Sequence, residues 1–471
     1  MNPGTRLYIG SALVLALGGC ATFSEDGGRD AVNRNLSERG IQSGISWVKN
    51  EQDAARVRER ISALMKQPLS ADTAIEIALL NNRGLQARYA ELGIAEADLV
   101  QAGRLRNPGF SFGRLHRADE VEYERAFMFD LLGLLTMPMR TQIERERFVL
   151  AQGNTTAEIL QVAADTRRAW FSAVAAQQSA RYAEQVKTAA EAAAELARRM
   201  AGVGNFSKLD QAREQAFYAD ATTQLARARQ QAQTERERLS RLIGLWGSDV
   251  AFRLPDRLPD LPKSLSDMPD IEQQAMQKRL DVQGAMMAAD NLANVLGLTR
   301  VTGWFSLLEG KYLRSAESGK PRKTGYEIEM RLPIFDFGTA RVARAEYSYL
   351  RAVNQAADLA IRARSEVREA YGNWRTAWDI ARHQRDEVVP LRARISEETL
   401  LRYNGMLMSV FELLAESRQQ VNAVISAIDA QRDFWLADAT LHLAINGKSP
   451  GAMTTPGSSL RTAAPAAEAG H

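Results

Sequence analysis

Proline is absent between Pro138 and Pro255, and Pro390 alone interrupts the stretch from Pro333 to Pro450. Because proline removes a backbone donor and its ring clashes with the preceding turn, helix interiors exclude it. Two such stretches therefore point to very long helices. Within them apolar and small residues recur at alternating spacings of three and four, as in Ile159, Ala163, Thr166, Trp170, Ala173 and again in Ala360, Ala363, Val367, Ala370, Trp374, Ala377. This is a coiled-coil period. Each stretch folds back once, at Gly202-Val203-Gly204-Asn205 and at Asn404-Gly405. Ser207-x-x-Asp210 and Ser409-x-x-Glu412 then read as capping boxes that open the return helices. At roughly 1.5 Å per residue, Thr141 to Met200 alone reaches on the order of 90 Å, so the molecule is expected to be elongated. Alanine seams let helices approach closely but bury little apolar area per residue. Such hairpins need lateral neighbours, and packing across protomers supplies them more readily than a monomeric bundle does.

The chain is written twice. Landmarks recur in the same order at offsets of about 197 to 203 residues, too long for a solenoid repeat. Ala78 to Ala87 pairs with Ala275 to Gly284, Tyr123-Glu124 with Tyr326-Glu327, Arg167, Ala169 and Trp170 with Arg368, Ala370 and Tyr371, and Ser207 to Asp210 with Ser409 to Glu412. Between the helical stretches the period changes. Tyr326 to Leu332 alternates apolar and charged residues strictly, the mark of a strand with two different faces. Trp304 to Tyr312, Pro108 to Leu115 and Glu122 to Leu131 are its expected partners, with polar loops at Arg117 to Val121 and Ser315 to Lys323. Strands of about ten residues match a membrane barrel. Four strands cannot close one, and open edges are not tolerated in lipid, so strands from other protomers would complete it. A small amphipathic sheet capping soluble helices shows the same alternation.

Composition argues against the other large function classes. The formal charge is +3, with basic and acidic residues interspersed, which leaves no electrostatic footprint for nucleic acid. His116, His383, His442 and His471 are scattered and Cys20 is the single cysteine. No spacing fits a metal site or a nucleophile with its base, so no catalytic residue, metal or cofactor is expected. Met128, Met137, Met139, Met406 and Met408 are spread along the chain and read as packing residues rather than soft-metal ligands. The N-terminus has Arg6, an apolar core from Tyr8 to Leu17 too short to span a bilayer, and then small residues, as in a secretory signal.

The signal ends in Leu17-Gly18-Gly19-Cys20, which resembles the lipobox of bacterial lipoproteins; the resemblance implies cleavage before Cys20 and its lipidation, with Ala21 compatible with sorting to the outer membrane. Lipidation would also remove an unpaired thiol from an oxidising compartment. The duplicated plan of helix, strand hairpin and helical hairpin over about Leu69 to Gly447 resembles the TolC-like outer-membrane factors, including their lipidated branch. The most specific residues are Leu332-Pro333-Ile334-Phe335-Asp336-Phe337-Gly338, similar to the family's Pro-hydrophobic-Phe-Asp-x-Gly at the strand-to-helix crossing. There Pro333 would end the strand and Gly338 permit the redirection. The first-half counterpart is read at Leu134 to Pro138, which keeps the proline.

The resemblance implies a mainly α chain with a β-barrel portion: antiparallel coiled-coil hairpins forming an α-barrel, and four strands per protomer contributing to a trimeric β-barrel in the outer membrane. The expected divisions are 1–19 signal peptide, 20–68 mature N-terminal segment, 69–260 first repeat with strands at about 108–135, 261–447 second repeat with strands at about 300–333, and 448–471 disordered tail. It also implies a homotrimeric efflux duct that conducts small molecules or metal ions passively, with a periplasmic adaptor and an inner-membrane pump as partners. The turns at Gly204, Asn205, Ser207, Gly405 and Ser409 would meet the adaptor. Glu412, with Glu416 adjacent to the family's second acidic position, and Asp210 in the first half are gate candidates. Helix capping, worth about 1 kcal/mol, explains Glu412 and Asp210 equally well. A conduit for secreted proteins and a non-spanning coiled-coil scaffold are the alternatives.

Overall fold

A computed structural model of the chain describes residues 22–42, 45–117, 120–303, 307–317, 319–331 and 334–449. The signal with Cys20, Trp304, Pro333 and the tail from Pro450 lie outside the described residues. Helices α1 (Arg29–Ser37) and α2 (Glu51–Leu64) lead into the first half: α3 (Ala71–Asn81), α4 (Arg83–Ala102), β1 (Gly109–Arg117), β2 (Glu120–Asp130), α5 (Leu131–Gly202) and α6 (Lys208–Ile243). After a linker with a 3-10 turn at Gly247–Val250, the plan repeats as α7 (Ile271–Lys278), α8 (Leu280–Gly303), β3 (Leu308–Glu317), β4 (Lys323–Met330), α9 (Thr339–His383), a π-helical turn (Gln384–Val388), α10 (Val389–Asn404) and α11 (Val410–Asn446). Helix α5 has 72 residues, a length of about 108 Å.

The duplication extends to individual bonds. Each half breaks its first helix at one extended residue, Asn82 (φ −67°, ψ 115°) and Arg279 (φ −70°, ψ 117°). Arg167 pairs with Asp72 at 2.7 Å and Arg368 with Glu272 at 3.0 Å. Trp170 Nε1 donates to the Leu69 carbonyl at 2.8 Å, and the Tyr371 hydroxyl accepts from the Met268 N–H at 3.5 Å. In both halves an aromatic side chain on the long helix thereby grips the segment that enters the half.

Ile159, Ala163, Thr166, Trp170 and Ala173 are all buried, as are Ala363, Val367, Ala370 and Trp374, so the three-four seam is the packing face. The large apolar side chains gather in three clusters. Trp170, Phe171, Leu239 and Phe252 form one cluster, Val367, Trp374 and Phe434 another. In a third, Val32 and Leu36 of α1 lie against Leu85, Leu92 and Ile159. The N-terminal segment is thus part of the core. The π turn sits just before Pro390, which occupies the first turn of α10. An extra residue in the ladder accommodates a proline that would otherwise clash with the carbonyl four residues back. Helix α5 has no such interruption at the matching level.

The four strands form one antiparallel sheet in the order β1-β2-β3-β4. Strand boundaries differ from the expected ones: β1 and β3 run on to Arg117 and Glu317 and β2 and β4 begin at Glu120 and Lys323, all within the segments expected as loops, which shortens both turns. The second pair begins at Leu308 rather than near 300, because α8 continues to Gly303. The first pair ends at Asp130 rather than 135, because the Asp130 carboxylate accepts from the Gly133 N–H at 2.6 Å and starts α5 at once. Pro138 therefore lies inside α5 and not at the strand-to-helix crossing; the true counterpart of Phe335-Asp336 is Phe129-Asp130.

The Arg279 side chain is fully buried at its break, held by Asp281 (2.9 Å) and Glu366 (2.6 Å). Ser449 joins the cluster, its N–H on Asp281 at 3.1 Å and its hydroxyl on Glu366 at 2.7 Å. Replacing Arg279 by Met strands two half-buried carboxylates. The expected cost is about 3 kcal/mol, read as a lowered midpoint in denaturant against wild type.

Candidate functional site: a two-faced sheet and the hairpin tips

Register assigns every strand residue to one of two faces. Across the sheet, Phe110 pairs with Phe127, Phe127 with Tyr312, and Tyr312 with Tyr326, with Ile328 and Met330 further along the same side. The opposite side carries Glu122, Glu124, Glu309, Glu317, Glu327 and Glu329. Its cations are paired: Lys311 bonds Glu329 at 2.5 Å and Lys323 lies 3.6 Å from Glu317. Curvature separates the faces as well. In β3, Tyr312 and Arg314 are exposed while their neighbours are half-buried, so the aromatic face is convex and the acidic face concave. The outer edges of β1 and β4 have no strand partner among the described residues.

The two strand-to-helix crossings use one device. Asp130 caps α5 directly, and Asp336 accepts from the Gly338 N–H at 2.7 Å. Gly338 is the residue before α9 and has φ +74°. A Cβ there would stand 3.0 Å from the Gly303 Cα, so both conformation and space require glycine. Ile334, Phe335 and Phe337 are exposed beside this crossing, and Leu134 and Leu135 beside the other, extending the apolar band below the sheet.

At the far end, each hairpin turns through the same hydrogen bonds. In the first, Asn205 N–H reaches the Met200 carbonyl (3.0 Å) and Gly204 N–H the Ala201 carbonyl (3.2 Å), with Gly204 at φ +81°. In the second, Leu407 N–H reaches Arg402 and Met406 N–H reaches Tyr403, both at 2.9 Å. Both are Schellman motifs, which need a left-handed residue. In the second hairpin that residue is Met406 (φ +58°), the sole non-glycine with positive φ among the described residues. Gly405, one place earlier, is right-handed (φ −78°). Met406 and Leu407 are almost fully exposed.

The gate candidates have other work in this conformation. Glu412 accepts from the Ser409 N–H and hydroxyl, both at 3.0 Å, completing a capping box; these bonds hold its carboxyl below the usual range. Ser207 accepts from the Asp210 N–H at 3.1 Å and Asp210 pairs with Arg213. Glu416 bonds Arg392 of α10 at 3.1 Å. Sequence reading passed over the pair that joins the hairpins: Arg418 of α11 lies 3.3 Å from the buried Glu214 of α6 and stacks over Phe217. Burial pushes the Glu214 carboxyl up, against the pull of Arg418. Glu214 stands one turn after Asp210, but nothing local in the sequence marks it as buried.

No protein-family model and no curated protein matches the chain. Solved structures do. A membrane protein from Pseudomonas aeruginosa matches with a TM-score of 0.69 at 19% identity, covering 80% of this chain and 93% of that one. The outer membrane protein VceC of Vibrio cholerae matches at 0.67 and 15%, covering 83% and 98%. The open state of the MtrE outer membrane channel of Neisseria gonorrhoeae matches at 0.62 and 17%, covering 82% and 89%. The chain has the fold of the TolC-like outer-membrane channels.

Met406→Gly is expected to stabilise the chain by about 1 kcal/mol, the cost of a left-handed side chain, and Gly204→Ala to destabilise it similarly in thermal melts. Glu214 gives a pH signature. Its raised pKa means that the folded chain prefers the protonated carboxyl, so its contribution is full at acidic pH and is lost as pH rises through the raised value. Glu214→Gln should match wild type at acidic pH and become the more stable of the two toward neutrality. Melting curves that stay parallel at all pH values would contradict this.

Proposed function

We propose that the chain is an outer-membrane duct, three copies closing one β-barrel above a helical tunnel, which passively conducts solutes delivered by an inner-membrane pump through a periplasmic adaptor. The observation that carries this reading is the sheet: aromatic on its convex face, acidic on its concave face, open at both edges, and standing on long helices, of which α5 reaches about 108 Å. A lone soluble sheet gains nothing from an aromatic convex face in water. In a bilayer that face meets lipid, the concave face lines water, and strands of neighbouring copies satisfy the edges. A non-spanning scaffold would leave the aromatic face and both edges without purpose. The neighbours are described as outer-membrane channels, which supports the same reading.

Lipidation of Cys20 would fit the position of Ser24, four residues further on. The Ser24 N–H and hydroxyl both bond Glu96 Oε1, at 2.6 and 2.5 Å. Glu96 lies on α4, about 10 Å below its sheet-proximal end. Four residues of extended chain reach about 14 Å, enough to bring a lipid on Cys20 toward the membrane surface. The mechanism requires no bond making, so neither catalytic residue nor cofactor belongs to it. Charged rings set which ions pass.

Purified protein in planar bilayers should give discrete channels with the mass of three chains in detergent. The acidic concave face should make them cation-selective, and Glu124→Gln with Glu309→Gln should move the reversal potential in a salt gradient toward zero. A monomer that never conducts would remove the barrel from this reading.

A further inference from the structure

The convex face is apolar only over its lower part. From the crossing upward its rows are Leu308 with Met330, Phe129 with Gly310 and Ile328, then Phe110, Phe127, Tyr312 and Tyr326. The next row is Phe112, Arg125, Arg314 and Thr324, and above it Arg114 stands opposite Tyr123. Arg125 and Arg314 are direct cross-strand partners, an arrangement that like charges disfavour. The concave face neutralises its cations with carboxylates. Among the described residues no carboxylate pairs with Arg114, Arg125 or Arg314; Arg114 leans on the Tyr123 ring, 5.7 Å from its centroid. All three are exposed. Because β2 and β3 are the inner strands, strands that close the barrel at β1 and β4 leave Arg125 and Arg314 uncovered.

Position along the strand decides what meets them. From Met330 to Thr324 is about 20 Å of strand, and the exposed Leu135 and Phe335 extend the apolar band below that. The arginine row therefore marks the upper rim of a band of the height that spans an outer membrane, where a lipid-facing arginine costs little. The group at that depth on the outer side is the phosphate of an outer-leaflet lipid. Guanidinium groups on neighbouring strands suit one multivalent phosphate better than a water-filled gap, since phosphate accepts paired N–H bonds and cancels the repulsion. The flanking Phe112 and Tyr123 offer rings against which sugar and acyl groups pack.

Resting on the channel reading above, we propose that Arg125 and Arg314, with Arg114, form a lipid-facing site for the phosphate groups of a phosphorylated outer-leaflet glycolipid. The test is native mass spectrometry of the full oligomer in detergent, titrated with lipid A, with lipid A stripped of its phosphates and with phosphatidylglycerol. Wild type should retain lipid A, and Arg125→Gln with Arg314→Gln should weaken it by about tenfold or more, two charge-assisted contacts being lost. Dephosphorylated lipid A and phosphatidylglycerol should bind wild type no better than that variant binds lipid A. Removing facing charges does not threaten folding, and unchanged single-channel conductance of the variant confirms an intact barrel. Conducting channels that hold lipid A equally with and without the arginines overturn the site, as do channels that hold the dephosphorylated form or phosphatidylglycerol as tightly. Protein that never forms channels overturns the duct reading and this site with it.

Discussion

Unpaired strand edges govern this molecule. Among the described residues, four antiparallel strands leave a row of N–H and C=O groups without a strand partner on β1 and another on β4, and in hydrocarbon each such group costs several kcal/mol. A single copy therefore cannot hold its sheet in a membrane. On the proposed duct reading, closure by identical copies would satisfy all edges at once, and it would fix the side-chain chemistry too, because a closed sheet has an inside and an outside. The aromatic convex face and acidic concave face, which alternate with a period of two, are what such a closure would require. The helices follow from the same need. On that reading an annulus of strands would stand on a ring of helices, and alanine seams such as Ala163-Thr166-Trp170-Ala173 permit the close spacing that it needs.

Most of the architecture was legible because its signals are periodic. Alternating spacings of three and four located the seams, strict alternation at Tyr326 to Leu332 located a strand, and proline placement separated the two regimes. The turns were legible from Ser207 and Ser409, which both cap the return helices, although only Ser409 with Glu412 forms the full capping box; the shorter Asp210 side chain meets the Ser207 hydroxyl instead of its backbone N–H. Boundaries were less so. Leu131 to Pro138 reads as apolar chain ending in proline, and only the Asp130 cap reveals that a helix is already under way there. A side-chain bond to a backbone N–H decided the matter, and such bonds have no period.

The site residues divide on the same line. Gly338 was identifiable because its glycine meets both a left-handed backbone and a crowded contact with Gly303. Gly405 lies in the turn as expected but in a right-handed conformation that any residue can adopt, while Met406 carries the left-handed position at some strain. Glu412 and Asp210 were found, but as acids in capping positions they look alike in sequence whether or not they do more. Glu214, Arg418 and the Arg125–Arg314 row depend on contacts between segments roughly 200 residues apart, which a single sequence does not register.

The pairing of β2 with β3 has a temporal consequence. Its partners, such as Asp130 and Glu309, are separated by about 180 residues, and closing a loop of that length in an unstructured chain is slow and entropically costly. Once α5 and α6 have zipped into a hairpin, α6 returns the chain to the middle of the molecule and α8 carries it the rest of the way, so the two strands become neighbours almost without search. The helical hairpins fold on local contacts and need no lipid. The sheet, whose inner pairing spans about 180 residues, is consequently the last part of the chain able to form, and the helical struts precede the strands that they come to support.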